Sequence, residues 1–185
     1  MKRRKLLLLA GAGLAAGCSS TGGGVEPGAK RREIDGAVDR ALGDLYTNTR
    51  GAREMTDKAQ AVLVFPQVFT AGLLAGGSYG QGALRKGTQT IGYYSVGSGS
   101  VGLLAGAQTK SVYILFMTAD ALAKFQASNG WTVGADASIV VVDAGVEARA
   151  DTRTAQAPII GMVRNQQGLM ANLSLDGTKF SRLAL

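Results

Sequence analysis

Between Ile34 and Tyr46, apolar residues recur at steps of three and one: Ile34, Ala37, Val38, Ala41, Leu42, Leu45 and Tyr46. At 3.6 residues per turn these positions fall on one helical face. Ala52, Met55 and Ala59 continue the stripe, while Arg32, Asp35, Asp39, Arg40 and Arg50 lie mostly off it. The pattern predicts one amphipathic helix over 33–59, or two with a break near Gly51. Its small residues Ala37, Ala41 and Ala52 suit close packing on a sheet better than insertion among acyl chains.

From residue 61 the period changes. Val62, Leu63, Val64 and Phe65 form a short apolar run that Pro66 is expected to interrupt. Two-residue alternation follows in "TQTIGYYSVGSGSVGLLAGAQ", with glycine or a small residue at many alternate positions. Glycine weakens a strand by about 0.5–1 kcal/mol relative to alanine, so this density implies bulges, curvature or close backbone approach. "SVYILFM" (111–117) has the composition of a buried strand. Thr118 is placed to cap a short helix, "ADALAKFQAS", that turns Leu122 and Phe125 inward and stops at Asn129-Gly130. The remaining segments, 131–151 and 157–183, predict three or four strands, with "NQQG" and "LDGT" as turns. Tyr93, Tyr94, Tyr113 and Trp131, in strands, are expected in the core. The fold class is α+β: an N-terminal amphipathic helix or helices packed on a curved, glycine-rich antiparallel sheet or partial barrel.

The first 29 residues obey neither period. Lys2, Arg3, Arg4 and Lys5 precede an apolar run, Leu6 to Ala16, too short to span a bilayer, and small residues lead into Cys18. That order reads as a secretory signal over 1–17. A cysteine at the cleavage point resembles the lipobox of bacterial lipoproteins, although Ala15 stands where that pattern favours Leu. The resemblance implies that Cys18 is acylated and becomes the first mature residue, followed by a tether over 18–29 and a domain over 30–185. Ser19, rather than Asp, after the cysteine implies outer-membrane sorting, with the domain facing the periplasm.

Losing the signal changes the charge. Four of the 20 Lys and Arg go with it, leaving 16 against 13 Asp and Glu, a formal +3 instead of +7. A nucleic-acid partner is therefore not expected.

Candidate chemistry is sparse. The chain has no histidine and a single cysteine, so the usual zinc ligands and the base of a nucleophilic triad are missing. Gly97, Gly99 and Gly102 satisfy a G-x-G-x-x-G spacing, with Asp120 beyond them. A dinucleotide site would need a helix next, yet "VGLLAGAQTK" is short and glycine-broken. Asp136, Asp143, Glu147 and Asp151 have irregular spacing and read as solvated strand and turn positions. No cofactor, metal or catalytic residue is expected, and the protein is read as a non-enzyme.

Four phrases, "AVLVFPQVFTAGLLAGGSYGQGALRK", "IGYYSVGSGSVGLLAGAQTKSVYILFMT", "ALAKFQASNGWTVGADASIVVVDAG" and "GLMANLSLDGTKFSRL", together resemble the bacterial branch of the SYLF family. The resemblance spans residues 61–182 and implies a β-rich core with helices and binding to anionic phospholipids through basic residues. Three basic clusters are candidates: Lys30, Arg31 and Arg32; Arg85 and Lys86, expected in a turn; and Lys179 with Arg182. Each cation near an anionic surface is worth about 1 kcal/mol, and an acyl anchor plus a second contact holds far better than either alone. The expected partner is a phospholipid membrane at the bacterial envelope. The alternative is a structural envelope protein whose lipid contact is only its anchor and whose partner is a protein or peptidoglycan.

Overall fold

The computed structural model describes residues 26–72, 75–101, 106–128, 130–144, 156–168, 175 and 177–185. Cys18, the expected signal, the tether up to residue 25, Gly102, Asn129, Glu147 and Asp151 lie outside the described residues.

The helical stripe forms two helices, α1 (Pro27–Asn48) and α2 (Ala52–Lys58). They break at Gly51, whose φ of 80° is a left-handed conformation that glycine adopts without steric cost. Helix α1 starts at Pro27, three residues before the expected start of the domain at Lys30 and inside the expected tether. Pro27 has the fixed φ of a first helical residue, and the Glu26 carboxylate accepts from Gly28 N at 3.1 Å and Ala29 N at 3.2 Å.

The strands are β1 (Ala61–Gly72), β2 (Ala75–Lys86), β3 (Gln89–Val101), β4 (Gly106–Phe116), β5 (Trp131–Thr132), β6 (Val140–Asp143), β7 (Ile159–Gly168) and β8 (Lys179–Arg182), with α3 (Ala119–Ala127) after β4. They make one open, curled sheet in the order β5-β8-β3-β2-β1-β4-β7-β6. The sheet is mixed, because β6 and β7 run parallel. Residues 144–158 join them, a connection long enough for the crossover that a parallel pair needs.

Two expectations about strand ends are corrected. Pro66 does not end its strand: β1 runs through it, and pairing to β2 skips between Val64 and Gln67. Pairing to β4 skips between Phe65 and Val68. A bulge accommodates the residue that cannot donate, and Ser111 Oγ donates to the Pro66 carbonyl at 2.8 Å. Likewise "NQQG" is not a turn but the end of β7, paired to β4 up to Gln108 and Gly168. The "LDGT" segment does turn, with Gly177 at φ 72° and Thr178 N donating to the Leu175 carbonyl at 3.0 Å.

Each face of the sheet carries a core. Helix α1 crosses the convex face from β3 to β7, as its contacts show in order. Asp35 accepts from Thr90 and Tyr93, Asp39 from Arg85, the Ala41 carbonyl from Tyr113 at 3.0 Å, and Asp44 from Arg164. Ile34, Val38, Ala41 and Leu45 pack there on Val62, Val64, Ala83, Leu115, Ile160 and Met162. The concave face holds an aromatic cluster of Phe65, Tyr94, Phe116, Phe125, Trp131 and Phe180, closed by α3. Thr118 caps α3 as expected, its Oγ1 accepting from Ala121 N at 3.3 Å, and Leu122 and Phe125 point inward. Among the described residues no helix is long and apolar enough to cross a membrane.

Candidate functional site

The basic side chains fall into different environments. Arg85 is 8% exposed. It sits at the end of β2 rather than in the turn, which is made by Gly87 and Thr88. Its guanidinium donates to Asp39 Oδ1 at 2.6 Å and to the Thr88 carbonyl at 2.7 Å, and lies 3.6 Å from Asp35 Oδ1. Asp35 also accepts from Thr90 Oγ1 at 2.7 Å and Tyr93 Oη at 2.8 Å. Burial, reinforced by that bond to an anion, holds the Tyr93 phenol above its ordinary pKa of 10.0. Arg85 thus pins α1 to the β2–β3 hairpin, and its charge is neutralised within the fold.

Arg31 contacts the Leu185 carbonyl, joining the start of α1 to the segment after β8. Lys30 pairs with Glu33 at 3.0 Å. Arg32 keeps 77% of its side chain exposed, with Glu26 only at 4.0 Å. Lys86, Lys179 and Arg182 are exposed. Lys179 pairs with Gly97 in β3 and Arg182 with Tyr94, an odd spacing that sends the two to opposite faces of the sheet. The seven candidates therefore do not merge into one basic patch. Arg31 and Arg85 converge on Asp35 and Tyr93, Lys179 lies further along the convex face, and Arg182 is on the concave side.

Beyond the bulge the sheet extends past α1, and no described helix covers its convex side there. Phe69 and Tyr79 are direct cross-strand partners on that side and are each 56% exposed. Beside them lies a groove of about 340 Å³, lined by Tyr79, Ser95, Gly97, Gly99, Lys179 and Ser181. Gly97 and Gly99 stand in an antiparallel strand opposite Tyr79 and Gly77, and β3 leads on to the antiparallel pairing of β4 with β1. The strand-turn-helix context of a dinucleotide fingerprint is not there, and Asp120 pairs with Lys124 in α3 at 2.8 Å. Asp136 accepts from Thr132 N at 2.6 Å in a tight turn, and Asp143 is exposed at the end of β6. Among the described residues no group of three or more His, Cys, Asp or Glu is placed to hold a metal. Tyr94, Tyr113 and Trp131 are buried, and Tyr93 is half-buried, so the aromatic residues are core as expected.

One polar group was missed by the sequence reading. Lys110 points to the concave side, 9% exposed, in register with Val68. Next to that pair along the two strands stand Thr70 and Gln108, with a buried hydroxyl and a buried amide oxygen that lack a hydrogen-bond partner among the described residues. Desolvation lowers the Lys110 pKa from its ordinary 10.5. The folded state therefore releases this proton before the unfolded chain does, and stability on this account falls as pH drops through the lowered value. Lys110→Met, an apolar residue of similar length, is expected to raise stability at neutral pH by about 1–3 kcal/mol. Guanidinium unfolding of the two proteins reads this directly; a loss of stability would show that the amine is held by a favourable partner.

The family model described as Ysc84: Las17-binding protein actin regulator matches residues 97–183, from the middle of β3 to the residue after β8. That segment, just under half of the chain, is therefore similar to a SYLF domain. No curated protein matches the chain. The SYLF family is one of domains known for lipid binding and actin-regulator-related binding. The matched segment contains α3, the aromatic cluster's Phe116, Phe125, Trp131 and Phe180, and Lys179 at the groove. Helix α1 and the exposed aromatic pair precede it.

Proposed function

We propose that this SYLF-like domain is a non-enzymatic module that binds anionic phospholipids at a bilayer surface, held there by acylated Cys18 at the outer membrane of a bacterial envelope. The SYLF match is the observation that carries the reading. Surface chemistry supports it: Arg32 and Lys179 are exposed cations, and Lys179 borders the uncovered convex half of the sheet. Glu26 lies eight residues after Cys18, so an extended tether would keep α1 within about 30 Å of an anchored lipid. Anchor and surface contact together give the two signals that stable membrane attachment needs.

Arg32 and Lys179 supply the test. Reversing both (Arg32→Glu with Lys179→Glu) is expected to weaken binding to phosphatidylglycerol-containing vesicles by more than about tenfold, at about 1 kcal/mol per cation. Arg85 is left alone because its reversal would crowd a third carboxylate against Asp35 and Asp39. Unchanged vesicle binding in the double variant would remove the electrostatic part of the proposal. The anchor is tested separately, by intact mass of the natively produced protein: a diacylglyceryl adduct on a chain starting at Cys18 is expected.

A further inference from the structure

Helix α1 covers only half of the convex face. Over Val64, Ala83 and Tyr113 the face is packed; past the bulge at Val64–Gln67 it carries Phe69 and Tyr79 in the open. An exposed aromatic pair in direct register is costly to leave in water, and a rigid sheet holds both rings at one height. Gln81 Nε2 donates to Tyr79 Oη at 2.9 Å, which fixes the phenol at the border of the patch. Gly77 in β2 and Gly97 and Gly99 in β3 leave the floor beside Tyr79 without side chains on that flank. Along β1, β2, β3, β4 and β8 beyond the bulge, Lys179 is the one charged side chain on this side among the described residues, and there is no carboxylate.

The occupant follows from these features. Two rings on a glycine and serine floor offer little of the broad apolar core that a stable protein interface needs. A Phe beside an amphipathic Tyr suits the boundary between acyl chains and headgroups, where one end of the group is dry and the other wet. Lys179, at the rim with Ser95 and Ser181, matches an anionic headgroup in charge and hydrogen bonding. In sequence, the connections leaving this end of the sheet, residues 73–74 and 102–105, also carry no charge.

We infer that the domain meets the bilayer with this uncovered convex half, Phe69 and Tyr79 entering the interface and Lys179 holding a lipid phosphate. The inference rests on the lipid-binding reading and names its surface, which the sequence-predicted basic clusters do not.

Added tryptophans test it, one at a time, in the full chain reconstituted into phosphatidylcholine–phosphatidylglycerol vesicles whose acyl chains carry bromine. Phe69→Trp and Tyr79→Trp are two independent reporters at the exposed pair. Gln126→Trp, exposed on α3, reports the opposite face. Buried Trp131 is a constant background in all three variants. Both reporters at the pair are expected to be strongly quenched relative to unbrominated vesicles, and the α3 reporter left unquenched. Quenching of the α3 reporter but not of the pair would overturn the inference while leaving lipid binding by another face. Equal quenching at all three positions would also overturn it, since no face would be selected. Absence of quenching at every position would remove the surface contact altogether, and with it the function proposed above.

Discussion

Replacing Gly82 by alanine is expected to abolish folding or to destabilise the protein by at least about 3 kcal/mol. A Cβ at this position would lie 1.9 Å from the Val64 carbonyl oxygen and 2.8 Å from Phe65 Cδ1. The obstacle is backbone, held in place by the bulge that absorbs Pro66, so neither side can yield without undoing the β1–β2 register. Gly43, exposed in α1 with nothing within 4 Å of a built Cβ, makes the contrast. Gly43→Ala should stabilise by up to about 1 kcal/mol, because glycine is the poorer helix former. Thermal and guanidinium unfolding of both variants would read the difference; a Gly82→Ala protein with wild-type stability would mean that the bulge is not where the structure puts it.

The second large effect is expected at Phe125. Its ring lies 4.9 Å from Tyr94, 4.8 Å from Phe116 and 5.6 Å from Trp131, the last edge-on. It is the residue that fastens α3 to the concave face, and it is 2% exposed. Phe125→Ala removes the centre of that cluster and leaves a cavity, at a cost of about 3–5 kcal/mol. Because Trp131 is in contact, its emission in the native state should shift as well. A loss below about 1 kcal/mol would show that α3 can collapse onto the space, contrary to the close packing seen here.

These two residues mark what a sequence can and cannot disclose about this fold. The steps from Ile34 to Leu45 announce α1, Gly51 announces its end, and Thr118 with Leu122 and Phe125 announces α3, because each signal is local and periodic. The glycine density calls for a physical cause, but which glycine is irreplaceable depends on a carbonyl supplied by another strand. Pro66 was the harder case. Its bulge adds a residue to β1 and so reverses the phase of the alternation that follows. Phe69 consequently points outward with Gln67, not inward with Val68, and no pattern within β1 alone reveals it.

The candidate site was legible to an uneven degree for the same reason. Basic residues are easily listed from sequence, and Arg85 is a strand residue like many others until Asp35 and Asp39 arrive from a helix some fifty positions earlier. Lys110 is similar: a single charge in "AQTKSVYILF" reads as surface, yet the curl of the sheet encloses it. The exposed aromatic pair required the bulge, the β1–β2 register and the limit of α1's coverage all at once.

Co-sedimentation of the mature chain carrying Cys18→Ser tests the central claim most directly, since it asks whether the domain binds lipid without its anchor. The protein is expected to pellet with vesicles containing phosphatidylglycerol, to remain in solution with phosphatidylcholine alone, and to be released as salt shortens the reach of surface charge. Failure to pellet with either vesicle, or equal pelleting with both at every salt concentration, would contradict the account.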